Sequence, residues 1–308
     1  MTALRPPAVA VGRAVASALA DGRPLVALES AIITHGLPRP LNLEVAIELE
    51  DLLRDLAVVP ATVGVVGGVP TVGLSAAELQ ELAGGVGATK VSVRDLPIVM
   101  AQQASGGTTV AATAWLAHHV GIRVFATGGI GGVHRGAAQT FDESADLPML
   151  AQIPITVVCA GVKSILDVPA TLERLETLGV TVVGFRTRSF PGFYVTDSGE
   201  EIEVSVTGPD EVVNVMAAAR ALCLPGALVV ANPLPEAEQL DPAVHDRIIV
   251  EALASAAAEG IRGPAITPYL LDRLYQATGG ASLAANIAAV RNNVSLAGRI
   301  ALAWSAHG

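Results

Sequence analysis

The stretch Ile155–Phe185, ITVVCAGVKSILDVPATLERLETLGVTVVGF, decides the fold class. It opens on ITVVCAG (155–161), and its last residues begin the run TVVGFRT (181–187); both are short, β-branched and apolar on successive residues. Between them, ATLERLETLG repeats its apolar positions at helical spacing. Strand, helix and strand in about thirty residues make a βαβ unit. Strands with two apolar faces are those of a parallel sheet covered by helices on both sides.

The same alternation extends outward in both directions. Strands are expected at PLVALES (24–30), ATVGVVGG (61–68), RVFATGG (123–129) and ALVVANP (227–233), with TVGLS, KVSV and EIEVSV as weaker candidates. LNLEVAIELEDLLRDL (41–56) carries apolar residues at 43, 45, 49, 52, 53 and 56, a helical stripe. Similar stripes run through SAAELQELA, TTVAATAWLAHHV, PDEVVNVMAAARAL and PAVHDRIIVEALASAAAEG, and the chain from Ile261 on reads almost wholly helical. There is no internal repeat, low-complexity linker or charge block. The expectation is one α/β domain over residues 1–308: a three-layer α/β/α arrangement with a mostly parallel or mixed central sheet and a helical C-terminal segment.

Composition bounds the function. The 308 residues include 53 Ala and 31 Gly, and 29 acidic against 19 basic residues leave a formal charge of -10. At 51% hydrophobic and 16% charged, the chain is too apolar for disorder. It also lacks the basic patch of a nucleic-acid surface. MTALRPPAVAVGRAVASALADG reads as an amphipathic helix, with Val11, Val15 and Leu19 at helical spacing and Arg13 interrupting the apolar run, and not as an export signal. The longest uncharged stretch, 96–122, contains Gln102, Gln103, His118 and His119 and fails as a membrane span. Cys159 and Cys223 lie in apolar surroundings, as buried thiols of a reducing compartment do. A cytoplasmic protein acting on small molecules, without nucleic acid or membrane, is expected.

Of the 19 basic residues 17 are Arg, and Lys occurs at positions 90 and 163 alone. Guanidinium stays protonated and is a poor nucleophile, so a retained lysine marks a place for an amine. Lys163 lies two residues beyond ITVVCAG, at the strand end where α/β sheets place ligands. A following helix N-terminus and partial burial would both lower its pKa toward the range of an imine-forming amine. Lys90, in GATKVSVRDLP, suits either a phosphate contact or plain exposure. Glu29 closes PLVALES before a turn bearing His35 and Arg39; buried, it would serve as a general acid, otherwise as a loop or capping carboxylate.

TGGIGGVHRGAAQTFDESAD (127–146) sets four glycines within five residues after a strand, which lets a ligand approach backbone N–H groups closely. It is no dinucleotide fingerprint, because His134 holds the third glycine position, and no P-loop, because no G-K-[ST] follows. Asp142 and Asp146 are spaced i, i+4; on one helix both would face a hard divalent ion, while Thr140-x-x-Glu143 matches a capping box. SGGTTVAATAWLAHH (105–119) opens a helix with two threonines, which reads as a phosphate site or an ordinary N-cap. His118 and His119 point apart on a helix and carry no metal. Asn286, among alanines, would read a nucleobase edge or bridge helices.

Taken together, ALESAIITHGLPRPLNLEVA, KVSVRDL, the glycine-rich ATGGIGGVHRGAAQTFDESADL, VVCAGVKSILDVPATLERLETLGVTVVGF, FPGFYVTDSG and TPYLLDRLYQATGGASLAANIAAVRNN resemble the pseudouridine-5′-phosphate glycosidase family, also called indigoidine synthase A-like proteins. The resemblance runs from about residue 25 to residue 293 in one order. It implies reversible cleavage of the C-glycosidic bond of pseudouridine 5′-phosphate to uracil and ribose 5-phosphate, an activity of the lyase and glycosidase classes in nucleoside catabolism. Lys163 matches the lysine that forms an imine with opened ribose, Glu29 the proton donor, and His134 a residue of the catalytic loop. Asp142 matches the aspartate holding Mn²⁺, with Mg²⁺ as a substitute. Lys90, Thr108, Thr109 and Val110 match the ribose-phosphate contacts; Ser144, Ala145 and Asp146 lie in the substrate-binding turn; Asn286 faces the base. The resemblance also implies a homotrimer. Val93, Arg188 and Ser189 depart from the family pattern, away from these positions.

Two other readings remain open on the sequence. One is a Schiff-base sugar-phosphate aldolase or lyase, for which a (β/α)₈ barrel would be the natural frame. The other is a non-catalytic phosphosugar- or nucleotide-binding accessory protein in pigment synthesis.

Overall fold

A parallel sheet forms where short β-branched runs recur between helices long enough to carry the chain back across one face. The structure, a computed structural model, describes residues 9–85, 87–261 and 266–307. Among them run β1 (Ala10–Val11), β2 (Leu25–Leu28), β3 (Val59–Val66), β4 (Val69–Val72), β5 (Thr89–Val91), β6 (Gly106–Thr108), β7 (Val124–Ala126), β8 (Thr156–Cys159), β9 (Thr181–Phe185), β10 (Ser205–Val206) and β11 (Leu228–Ala231). The order β3-β2-β7-β8-β11-β9-β10 is parallel throughout. At β3 the sheet turns mixed: β4 and β6 pair with it antiparallel, β1 extends β4, and β5 extends β6. The sheet stays open, so the barrel frame of the aldolase reading is absent.

Period-two alternation sorts the strands into two cores. Ala27, Phe125, Val157, Cys159 and Val229 face one side, with Val110, Ala114 and Ala117 of the helix Val110–His119, Leu175 of Val168–Thr177 and Ile248 and Ala252 of Pro242–Ala258. Val26, Val124, Val158, Val183 and Val230 face the other, beneath Leu41–Asp55, Pro209–Ala221 and the long Ala281–His307. Three layers and the helical C-terminal segment therefore match the expectation, and each strong strand run holds a strand.

Short, glycine-bearing strands escaped the sequence pattern. β6 pairs through Gly106 and Gly107, and a Cβ at Gly107 would lie 2.2 Å from Thr34 Oγ1. Only glycine lets β6 pass so close to the chain that follows β2. Cys159 is buried, and loss of solvent pushes its thiol pKa up to about 12. Cys223 is exposed, contrary to its apolar context, because it sits in the turn that ends the helix Pro209–Ala221. No helix among the described residues is long and apolar enough to cross a membrane.

Candidate active site

The register of three neighbouring strands assembles the site. Leu28 pairs with Ala126, and Ala126 pairs with Val158. Glu29 and Thr127 therefore leave the sheet at one level, beside Cys159 at the end of β8, at the C-terminal edge where open α/β sheets bind ligands. The Thr127 hydroxyl donates a short hydrogen bond to Glu29 Oε1. The glycine-rich segment then runs alongside the one that carries Lys163: Ala160 N–H donates to Gly128 O at 2.8 Å, Ile130 N–H to Gly161 O at 3.0 Å, and Lys163 N–H to Ile130 O at 3.2 Å. Gly161 has φ +83°, and a Cβ there would lie 2.0 Å from Pro191 O, so this crossing requires glycine.

Burial raises the Glu29 pKa above the ordinary 4.5; the Lys163 ammonium and the Thr127 hydroxyl oppose the rise, and Asp146 adds to it. The residue as a whole is half-buried. Lys90 belongs to an exposed stretch of β5, yet the protein around its amine lowers its pKa below 10.5, helped by the like charge of Lys163 and opposed by Glu29 and Asp146. These mutual fields place Glu29, Lys90, Lys163 and Asp146 in one charge cluster. Among the described residues neither lysine forms an ion pair. His35 borders the cluster, its pKa lowered by burial and by Lys90, whereas Arg39 turns away and donates to Gly85 O.

Several expectations need correction. The helix after Lys163 starts only at Val168, with Asp167 accepting from Ala170 N–H, so Lys163 does not sit at a helix N-terminus. It precedes a turn in which Leu166 N–H donates to Lys163 O at 2.9 Å. Asp142 and Asp146 do not share a helix: Phe141 adopts φ 57°, ending the short helix Ala137–Thr140, and the next helix begins at Asp146. The Thr140–Glu143 capping box is not formed either, since Glu143 accepts from Arg174 Nε at 2.9 Å. Asp146 turns inward, accepting from Ala111 N–H at 2.9 Å and Gly131 N–H at 2.8 Å. Its carboxylate thereby takes the Ala111 N–H of the helix N-terminus that the sequence offered to a phosphate.

The remaining candidates fall into two groups. Thr108 is fully buried, its hydroxyl donating to Val63 O at 2.8 Å and accepting from Thr113, so it braces the fold and presents no free side chain. Beside it, Thr109 Oγ1 is buried without a hydrogen-bond partner, and the Val110 N–H opens the helix Val110–His119. Asn286 Oδ1 would lie 3.3 Å from a Cβ on Gly128, so its amide reaches the glycine-rich loop from the C-terminal helix. Ser144 supports Asp146, whose N–H donates to Ser144 Oγ at 3.2 Å, and Ala145 lies exposed beside it. His134 and Asp142 stand on the outer part of the same loop: His134 N–H donates to Asp142 O at 3.0 Å, and Nδ1 lies 3.9 Å from Asp142 Oδ2. No three His, Cys, Asp or Glu side chains gather as a metal cage among the described residues.

Other supporting residues carried no sequence signal. Buried Asn293 donates to Thr127 O at 2.8 Å and accepts from Asn232 at 2.9 Å, holding the glycine-rich loop from beneath. Ser30 Oγ accepts from Thr108 N–H at 2.9 Å and donates to Val63 O, locking the residue after Glu29 to β6 and β3. Next to Lys163, Ser164 Oγ lies 2.8 Å from Nε2 of buried His245. Each contact joins residues far apart in sequence, so no local spacing reveals it.

Comparison with known proteins identifies the family. The model of the family described as "Indigoidine synthase A like protein" matches residues 14–303. A protein of Saccharopolyspora erythraea named pseudouridine-5′-phosphate glycosidase is 60% identical over 291 residues, 94% of this chain and 96% of the relative. One of the same name from Frankia alni is 58% identical over 97% of this chain and 82% of its own length. Among solved structures, the prealnumycin C-glycosynthase AlnA in complex with ribulose 5-phosphate superposes with a TM-score of 0.92 at 37% identity, covering 98% of this chain and 99% of that one. An indigoidine synthase A-like protein of Thermotoga maritima gives a TM-score of 0.85 at 36% identity, over 92% and 94% of the two chains.

Proposed function

The chain belongs to the indigoidine synthase A-like family, and from that premise we propose that it is a pseudouridine-5′-phosphate glycosidase working through a Lys163 imine. The carrying observation is the unpaired Lys163 amine in the same cluster as Glu29, whose burial favours the protonated acid. An O-glycosidase protonates a leaving oxygen with one of two carboxylates, but a C-nucleoside has no such oxygen. An amine that opens the sugar replaces that step.

The Lys163 nitrogen attacks C1′; the C1′–O4′ bond breaks, and O4′ takes the proton of Glu29. The carboxylate recovers a proton from the new ammonium. The nitrogen lone pair then forms the C1′=N bond while the C1′–C5 bond breaks toward uracil, whose C5 takes the proton from Glu29. Water adds to the imine and releases ribose 5-phosphate and the free amine. Lys90, the unspent Thr109 hydroxyl and the Val110 N–H take the phosphate, with Thr108 behind them as a brace. The turn of Ser144, Ala145 and Asp146 closes one wall, Asn286 meets the uracil edge, and His134 serves proton exchange at the mouth. The relation to a prealnumycin C-glycosynthase supports C-glycosidic chemistry on a phosphosugar at this fold.

Asp142, with His134 beside it, would hold Mn²⁺, or Mg²⁺ in its place. One carboxylate suits a hard ion that takes its other ligands from water and substrate oxygens. When bound there, such an ion supplies positive charge against the substrate. A homotrimer and a cytoplasmic location accompany this reading.

Borohydride added with ribose 5-phosphate is expected to leave a ribityl-phosphate adduct on Lys163, located by peptide mass spectrometry. An unmodified protein, or label on Lys90 alone, defeats the imine. Phosphosugar binding and unchanged cellular activity in Lys163→Arg would instead favour the accessory protein.

A further inference from the structure

A cavity of about 580 Å³ lies at the opposite edge of the sheet, at the N-terminal ends of β2 and β7. Arg23 enters it just before β2, Arg123 just before β7, and Arg220 from the last turn of the helix Pro209–Ala221. Trp304 and His307, from the end of the C-terminal helix, form its aromatic wall, with ring centroids 6.1 Å apart and planes 19° from parallel. A second hollow of about 340 Å³ adjoins it and shares Arg123, Arg220 and Trp304. No acidic residue lines either hollow, in a chain whose net charge is -10.

That is an unusual way to leave cations. Arg54, Arg174, Arg273 and Arg291 each contact a carboxylate within 3 Å. Among the described residues Arg123 has only the His118 ring, 3.2 Å from Nη1, and Arg220 only the Trp304 face, 5.9 Å from its guanidinium carbon. Arg23 is partly spent on Asp21 at 3.5 Å and on Ser17. Arg123 and Arg220 also repel one another, which together with burial lowers the Arg123 pKa. Helices antiparallel to the strands end here, and their C-terminal dipoles make the cations tolerable. The dipoles leave the guanidinium N–H donors unspent, however, and planar guanidinium pairs bind phosphate bidentately.

We propose that this cavity binds a nucleoside phosphate, its phosphate on Arg123 and Arg220 and its base stacked on Trp304. The site is separate from the Lys163 cluster, because the β2 and β7 strands lie between them. It holds whatever the outcome of the imine test.

Titration of the full chain with uridine 5′-monophosphate, followed by calorimetry and by Trp304 fluorescence in a Trp115→Phe background, tests it. Saturable quenching is expected, with Kd raised about tenfold or more in Arg123→Gln/Arg220→Gln. Trp304→Leu should weaken the nucleotide but leave inorganic phosphate unaffected. Circular dichroism and thermal melting confirm that each variant folds. No saturable signal at millimolar nucleotide overturns the proposal. So does binding that ignores the arginine pair, or inorganic phosphate binding as tightly as the nucleotide.

Discussion

The two edges of the central sheet hold opposite kinds of charge. At the C-terminal edge Glu29, Lys90, Lys163 and Asp146 bring both signs together, and the charges of Lys163 and Asp146 act on the titration of Glu29 and Lys90. At the N-terminal edge Arg23, Arg123 and Arg220 stand without a lining carboxylate. Mixed, titratable charge can move protons and form bonds. Guanidinium fixes its sign over the whole physiological range and can only bind. The placement of the two lysines follows this division: both lie where an amine is useful, and the other cavity is furnished with arginine.

Replacing the amine by a guanidinium at the reactive edge is the sharpest way to break the contrast. Lys163→Arg keeps the charge and removes the nucleophile, so uracil release from pseudouridine 5′-phosphate should fall to background. Lys90→Arg should raise KM by about tenfold and leave kcat nearly intact, since guanidinium keeps the charge but not the compact geometry of the ammonium. Equal loss of kcat in both would show that the lysines share one role.

Glu29→Gln should lower kcat by about 10²–10⁴-fold, the scale of one general acid. In the wild type, activity should fall as pH rises through the Glu29 pKa, which burial has placed above 4.5. The stability consequence has a definite sign. A carboxyl with a raised folded pKa contributes stability at low pH that is lost as pH rises through that folded value. Glu29→Gln should therefore gain on the wild type in urea unfolding as pH rises from the unfolded value of 4.5 through the folded pKa, and hold that gain above it. A pH-independent difference would place Glu29 outside the buried cleft.

The smallest effect concerns Asp146. If its task is to satisfy Ala111 N–H and Gly131 N–H, Asp146→Asn should cost about 1–2 kcal/mol in urea unfolding without any ligand. A loss confined to substrate affinity would return it to the binding surface.

Regular elements were legible because their signal is local. The run 155–185 builds β8, a helix and β9 in that order, and the helical stripes at 41–56 and in the C-terminal segment became helices. Glu29, Lys90 and Lys163 were legible too, as residues placed at strand ends and starts. The pairing of Asp142 with Asp146 failed because i, i+4 spacing speaks only within an unbroken helix, and Phe141 breaks that one. That the Thr108 hydroxyl is engaged by Val63 and Thr113, from other elements, was not legible.

By itself the sequence determined the alternation of strand and helix, the two-sided burial of the sheet, and which residue types were available for chemistry. Tertiary structure decided which of them act together. Strand register brought Glu29 and Lys163 to one edge, Asn293 and His245 were carried in from distant helices, and three arginines gathered at the other edge. The physical reason is range: propensity and periodicity act over a few neighbouring residues, whereas pKa shifts, hydrogen-bond partners and cavities depend on groups that meet only through the fold.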